Sequence, residues 1–145
     1  MNRIVTCLIW LGLLPSVLFA QQNIDWVILA DVRFEAKQSN TTGESYDEAT
    51  FGEKVKAFAG QEVSIAGYII PLDPLGLSFV LSRNPNATCF FCGGGGPETV
   101  IEINLKPAKI KAYKMDEWRS FKGVLQLNTS NIKHFTYVLK EAEES

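Results

Sequence analysis

The sequence predicts a small, mainly β domain after a signal peptide: an OB-like Greek-key barrel, or a strongly bent sheet, with one or two short helices. Three observations support this: an apolar first segment, several short stretches of alternating apolar and polar residues, and glycines inside two of those stretches. Alternation indicates strands because successive side chains point to opposite faces of a sheet. Gly67 and Gly123 would let two strands bend enough to close a barrel. A flatter α+β sheet is the alternative.

The first twenty residues have the pattern of a secretory signal peptide. Arg3 supplies a positive start, residues 4–19 are almost entirely apolar, and Ala20 is a small residue before a polar stretch. The apolar segment is short for a membrane-spanning helix, which takes about 20 residues, and no basic cluster follows it. We therefore expect cleavage after Ala20, a single domain over residues 21–145, and export to the periplasm or cell envelope. Retention of the segment as a membrane anchor is the alternative.

The composition of the domain argues against some classes of protein. Removing Arg3 with the signal leaves 13 of the 14 basic residues against 16 acidic ones, a net charge of −3. A nucleic-acid partner would require a basic face, so we expect none. No stretch after the signal is long and apolar enough to form a transmembrane segment. Two cysteines remain, which is too few for a disulfide framework that holds a small exported fold together.

The N-terminal part of the domain predicts a strand and a short helix. Apolar residues alternate over residues 26–34, which indicates a strand with one apolar face. The polar stretch 38–44 is typical of a loop. Thr50 and Glu53 have the spacing of a capping box, and apolar residues follow at helical spacing until Gly60. We therefore expect a short amphipathic helix that ends at this glycine.

The later strands are predicted from alternation and from the turn residues between them. They cover residues 62–70, 77–81, 99–105, 121–127 and 135–139. An acidic tail that we expect to be frayed follows the last strand. The four lysines between residues 106 and 114 alternate with aromatic and apolar residues. Because the domain is acidic, we interpret them as the solvated face of a helix and not as a binding patch.

The CFFCG motif at residues 89–93 is the one local pattern with recognisable chemistry. Two thiols separated by two residues face one point when the chain turns tightly, and a following glycine lets backbone amides approach the sulfurs, as in a zinc knuckle. A tetrahedral site needs further ligands, from this chain or from another subunit. The candidates are His134, Glu98 and Asp73. The sequence therefore predicts a site for zinc or another soft transition metal, such as Cu⁺, at Cys89, Cys92, His134 and Glu98.

Other interpretations of the motif stay open. In an oxidising compartment Cys89 and Cys92 would form a disulfide that braces the loop. A second interpretation is a catalytic dithiol of the thiol–disulfide oxidoreductase type, although no helix N-terminus is predicted nearby to lower a thiol pKa. A third is a pair of free thiols that has no function. Covalent haem attachment is excluded because Gly93 stands where histidine is required, and the glycine run 93–96 lacks the ending of a phosphate loop.

Three stretches of the sequence together resemble one family. They are GYIIPL at residues 67–72, CFFCGG at residues 89–94 and FKGVL at residues 121–125. The combination resembles a family of exported bacterial proteins of unknown function, and the CFFC form is similar to its branch in Bacteroidetes-type bacteria.

The resemblance implies a periplasmic or envelope location, an OB-like fold, and association with ABC-type membrane complexes and with metal handling. It therefore implies a membrane-protein partner. It carries over Cys89 and Cys92 as a family-like site and no catalytic residue. We expect a binding or accessory module and not an enzyme.

Overall fold

The computed structural model describes residues 22–38, 43 and 45–145. Its strands are β1 (Gln22–Asn23), β2 (Val32–Gln38), β3 (Ser45–Phe51), β4 (Glu62–Pro71), β5 (Phe79–Ser82), β6 (Val100–Leu105), β7 (Trp118–Leu127) and β8 (Tyr137–Glu144), and its α-helices are α1 (Trp26–Leu29) and α2 (Glu53–Lys56). Short 3₁₀ turns occupy Asn86–Thr88, Phe90–Cys92, Pro97–Thr99 and Pro107–Lys109. The predicted signal peptide at residues 1–20 and most of the predicted loop at 38–44 lie outside the described residues.

Five of the strands close a barrel. Neighbouring strands follow the order β4-β5-β6-β8-β7, and β7 also pairs with β4, which completes the circle. The β6–β8 pair is parallel and the other pairs of the circle are antiparallel. This Greek-key arrangement confirms the prediction of a mainly β, OB-like barrel with two short helices. The flatter α+β alternative is wrong.

The two mid-strand glycines lie where the barrel strands change direction. β4 pairs with β7 up to Tyr68 and with β5 from Tyr68 onward, so Gly67 precedes the residue at which β4 changes partner. At Gly123 the register between β7 and β8 shifts, as it does at a β-bulge. A Cβ on Gly67 would lie 2.7 Å from the Ser82 carbonyl oxygen, and one on Gly123 would lie 2.5 Å from that of Lys140. Both positions require glycine because another strand's backbone approaches them closely.

The N-terminal segment covers the barrel end at which β4, β6 and β8 begin. Leu29 of α1 is fully buried, and its carbonyl oxygen accepts a 2.6 Å hydrogen bond from the hydroxyl of Tyr137, which is also fully buried. The indole nitrogen of Trp26 donates to the Ala66 carbonyl oxygen at 2.9 Å. The ring of Phe51, at the end of β3, packs 5.6 Å from the ring of Tyr137. The barrel core therefore continues into the N-terminal segment.

The predicted strand over residues 26–34 is wrong in its first half. The Asp25 carboxylate accepts a hydrogen bond from the amide of Ile28 at 3.0 Å and starts α1, and the chain becomes extended only in β2. A polar N-cap satisfies the free amides of a helical turn and favours the helix over the strand. The same turn packs Trp26 and Leu29 against the barrel core.

The predicted capping box and helix over residues 50–60 are also wrong in detail. Thr50 lies in β3, a strand that the sequence did not predict, and α2 is a single turn whose N-cap, Gly52, makes no side-chain hydrogen bond. The Asp31 carboxylate instead accepts a hydrogen bond from the amide of Lys54 at 2.8 Å. These two residues are 23 positions apart. A long-range contact thus replaces the local cap that the spacing predicted.

The acidic tail is not frayed, and the lysine segment is not a helix. The tail is the end of β8, which pairs with β6 and β7, and the lysine segment holds only the 3₁₀ turn Pro107–Lys109. Glu143 forms ion pairs with Lys106, Lys109 and Lys122, and Glu144 forms them with Lys111 and Arg119. Hydrogen bonds from the lysines lower the pKa of both carboxyls. The acidic end of β8 is therefore neutralised by basic side chains of the lysine segment and of β7.

We expect Tyr137→Phe to lower the free energy of unfolding by about 1–3 kcal/mol, because the buried Leu29 carbonyl would lose its donor. Urea unfolding followed by fluorescence measures this change. Tyr68→Phe, at a partly exposed position, is the control and should stay within about 0.5 kcal/mol of the unmodified protein. Equal stabilities of the two variants would contradict a structural role for the Tyr137 hydroxyl.

Candidate functional site

The CFFCG motif lies in the long connection between β5 and β6, and backbone hydrogen bonds fold it into a tight turn. The amides of Cys92 and Gly94 donate to the Cys89 carbonyl oxygen at 3.1 and 2.9 Å. The amide of Gly93 donates to the Phe90 carbonyl oxygen at 3.0 Å. Gly93 has a φ of 76°, a left-handed conformation that glycine adopts without a steric penalty. The turn therefore holds both cysteines on one short, well-defined piece of backbone.

The two cysteine side chains are free thiols with opposite exposure. Cys89 is fully buried in a small apolar cluster with Ile70, Val80 and Val100, whereas Cys92 is exposed. The pKa of the Cys92 thiol is raised, first by partial desolvation within the loop and then by the charge and hydrogen bond of the Cys89 sulfur. The turn thus presents one sulfur to solvent with the second one directly behind it.

Aromatic side chains connect the turn to the loop between β7 and β8, residues 128–136. Phe90 is half-buried against the apolar cluster that holds Cys89. Phe91 is 48 % exposed, and its ring lies 6.0 Å from the ring of Phe135 in an edge-to-face arrangement. The position of the 128–136 loop is therefore coupled to that of the cysteine turn.

His134 lies on the 128–136 loop and is paired with a carboxylate on β6. Its Nδ1 atom is 3.2 and 3.1 Å from the two carboxylate oxygens of Glu102. Glu102 also accepts a hydrogen bond from the amide of Phe135 at 3.3 Å. The sequence did not single out Glu102, because 32 residues separate it from His134 and nothing local marks an acidic residue in a strand. This pairing depends on the barrel, which brings the start of β6 beside the loop that precedes β8.

Glu98 and Asp73, the other two candidate ligands, have different surroundings. Glu98 lies in the 3₁₀ turn Pro97–Thr99, where its carboxylate folds back against the backbone of Gly96. Asp73 follows β4 at the opposite end of the barrel, where its carboxylate accepts hydrogen bonds from the amides of Ser78 and Leu75. These bonds, that of Ser78 first, lower the pKa of Asp73. Asp73 therefore shapes its own loop.

The structure brings together only part of the predicted site. Cys89 and Cys92 are adjacent, and His134 is paired with Glu102 and not with Glu98. Across residues 22–38, 43 and 45–145, no group of three or more His, Cys, Asp or Glu side chains is close enough to hold a metal ion. The predicted set of four ligands therefore stays a prediction. The structure places two of the four, Cys89 and Cys92, on the same turn.

A cleft of about 260 Å³ opens beside the turn. Its walls come from the 128–136 loop, including His134 and Phe135, from Phe90 of the motif, and from Phe34 and Tyr46 of the β2–β3 hairpin. His134 and Phe90 of the motif therefore line the same space.

Comparisons with known proteins support the fold. The chain matches no family model and no curated protein. It is similar to the crystal structure of a DUF3299 family protein from Pseudomonas aeruginosa, with a TM-score of 0.51 and 19 % sequence identity, over 87 % of this chain and 97 % of that chain. At this identity the likeness shows the fold alone. The neighbour belongs to a family of unknown function, in line with the expected resemblance to an uncharacterised family.

No helix within the described part of the chain has both the length and the apolar character needed to cross a membrane.

Proposed function

We propose that this protein is an exported, non-enzymatic binding module that holds a soft transition-metal ion, zinc or Cu⁺, through the sulfurs of Cys89 and Cys92. The observation that supports this best is the pair of adjacent free thiols on one glycine-ended turn. Export to the periplasm or envelope follows from the signal-like first segment. The proposal that the module associates with a membrane-protein partner of the ABC type rests on the sequence resemblance.

The chemistry of the turn suits such an ion. Thiolates are preferred ligands of Zn²⁺ and Cu⁺, and the exposure of Cys92 gives an ion access to the pair. Cys89 lies among apolar side chains. Thiolates bind a metal ion after losing their protons, so binding of the ion by such a pair releases protons to solution.

His134 is the proposed nitrogen ligand. Glu102 holds its Nδ1 atom, which leaves Nε2 to coordinate, and a carboxylate behind an imidazole is the usual way in which proteins orient a metal-binding histidine. Because His134 is not grouped with the sulfurs, the 128–136 loop must close on the turn when the ion binds. Glu98, which is close to the motif in sequence, completes the proposed set as an oxygen ligand.

The raised pKa of the Cys92 thiol argues against a catalytic dithiol. A thiol that acts as a catalytic nucleophile needs a lowered pKa, so that the thiolate is present at neutral pH. Here the exposed thiol has the opposite shift, and its cause is the loop and the neighbouring sulfur. A metal ion overcomes such a shift by displacing the proton, whereas a catalytic nucleophile has to be a thiolate before it reacts.

We expect the reduced protein to bind one Zn²⁺ or Cu⁺ ion, and both Cys89→Ala and Cys92→Ser to abolish this binding, because each variant removes one of two thiolates. Native mass spectrometry of the protein with and without a chelator measures the occupancy. Asp73→Asn is the matched control: it removes a carboxylate that is bonded to the amides of its own loop and lies outside the proposed ligand set, so this variant should bind as the unmodified protein does.

The role of the histidine is tested in the same assay. His134→Ala should weaken binding, and Glu102→Gln should weaken it by about 10–100-fold, the usual effect of removing the carboxylate behind a metal-binding imidazole. If the reduced protein holds neither ion, the proposed function is wrong. If only the cysteine variants change the affinity, the site consists of the two sulfurs without His134.

A further inference from the structure

The strongest feature that metal binding alone does not explain is the opposite exposure of the two thiols. Cys92 is exposed at the surface of the turn, whereas Cys89 is fully enclosed by Ile70, Val80 and Val100. A simple two-sulfur site does not require this asymmetry. It has a direct consequence for the order in which the thiols meet a reagent from solution.

We infer that the turn is a dithiol–disulfide switch with a fixed order, in which Cys92 reacts first and Cys89 resolves the product. The order of reaction is independent of the proposed function. The further consequence, that oxidation releases the bound metal ion, rests on the proposed function.

The reaction is an exchange with a small disulfide, RSSR, as the oxidant. The Cys92 sulfur attacks one sulfur of RSSR, so that the R–S–S–R bond breaks, a mixed disulfide Cys92–S–S–R forms, and the first RSH leaves with the proton of Cys92. The Cys89 sulfur then attacks the Cys92 sulfur, the bond to R breaks, and the second RSH leaves. The protein loses two electrons and two protons, and RSSR gains them.

Access and proximity determine the order. A disulfide reagent reaches only the exposed sulfur, because reaching Cys89 would require the apolar cluster to open. Once Cys92 carries the R group, Cys89 is the neighbouring thiol on the same turn, in which the Cys92 amide donates to the Cys89 carbonyl oxygen at 3.1 Å. An intramolecular attack within one turn is strongly favoured over a second encounter with a thiol from solution. The mixed disulfide should therefore be short-lived in the unmodified protein.

Oxidation also removes both metal ligands. Only thiolates bind Zn²⁺ or Cu⁺ strongly, and a disulfide sulfur carries no such charge. Metal occupancy of the turn would then follow the redox state of the compartment. Conversely, an ion held by both sulfurs blocks the attack of Cys92 on RSSR.

The test is oxidation of the reduced protein with oxidised glutathione, followed by mass spectrometry of the intact chain. We expect the unmodified protein to lose two hydrogens without accumulating an adduct, and Cys89→Ala to keep one glutathionyl group on Cys92. Cys92→Ser should form an adduct at least about tenfold more slowly than Cys89→Ala, because its remaining thiol is enclosed. In urea both variants should react at similar rates, which shows that burial causes the difference.

Two outcomes overturn the order: a stable adduct on the unmodified protein, or equal rates for the two folded variants. The metal-dependent part is tested by adding Zn²⁺ to the reduced and to the oxidised protein. Equal binding by both forms overturns the release of metal on oxidation. If the order holds while the reduced protein binds no ion, the proposed function fails and the switch stands.

Discussion

Gly123→Val is expected to lower the free energy of unfolding by about 3 kcal/mol or more, because overpacking against backbone atoms cannot relax by a side-chain rotation. A Cβ at this position would lie 2.5 Å from the Lys140 carbonyl oxygen and 3.1 Å from the Ala142 Cα atom. Gly123 is not among the residues with positive φ, so the loss comes from the close approach of β8 and not from backbone strain. The β7–β8 pairing would have to separate at the bulge to accept the new atoms.

Urea titration of Gly123→Val beside Val124→Ala measures this effect. Val124 is the next residue in β7 and is exposed, so its truncation should change the free energy of unfolding by about 0.5 kcal/mol or less. Retention of the full stability by Gly123→Val would show that the barrel does not close through this contact.

Leu29→Ala is expected to cost about 2–5 kcal/mol, the range for deletion of a fully buried leucine side chain. Leu29 is 0 % exposed and belongs to the core cluster that joins the N-terminal segment to the barrel. Its truncation would leave a cavity at the covered barrel end and loosen the helical turn whose carbonyl accepts from Tyr137. We therefore expect the amides of the N-terminal segment to lose their protection from hydrogen exchange before the barrel unfolds.

Val27→Ala is the matched control, since Val27 is in the same helical turn and 71 % exposed. Its effect should be within about 0.5 kcal/mol. Hydrogen exchange of the amides in α1 and β1 tests the local part of the prediction. A uniform loss of protection over the whole barrel in Leu29→Ala would indicate that the segment and the barrel unfold as one unit.

The barrel was predictable because its strands have a local pattern. Apolar or glycine residues alternate with others over 63–69 in β4 and over 121–127 in β7, and the internal glycines of both strands indicate the bends that closure requires. β3 was missed because the only large apolar side chains in its sequence, SYDEATF, are two aromatic rings, which give no continuous alternation. Its hydrogen-bond partners are in β2, and its register is set by that pairing and by the contact of Phe51 with the barrel.

The start of α2 and the charged segments were mispredicted for a shared reason. Asp31 caps α2 across a distance in sequence, and the lysines of the 106–114 segment find their partners in the tail of β8. In both cases the polar side chain is matched by a residue that only the fold brings near. Residue spacing along the chain predicts only the hydrogen bonds and helices that a segment can form by itself. The contacts described here form between distant segments and depend on the strand order.

The candidate site also has one part that the local sequence predicts and one part that depends on the fold. Cys89 and Cys92 were predictable since four consecutive residues define their turn. The opposite exposure of their thiols was not, because the enclosure of Cys89 depends on β4, β5 and β6. Nor was the Glu102–His134 pair, which the parallel placement of β6 and β8 creates.

The direction of β8 gives the molecule a convenient geometry for surface-based measurements. β8 begins at Tyr137, beside the covered end and the cysteine turn, and runs to Glu144 at the end where Asp73 lies. Eight extended residues span roughly 25 Å. A linker attached after Ser145 would therefore immobilise the protein by that end of the barrel and leave the end covered by the N-terminal segment facing the solution.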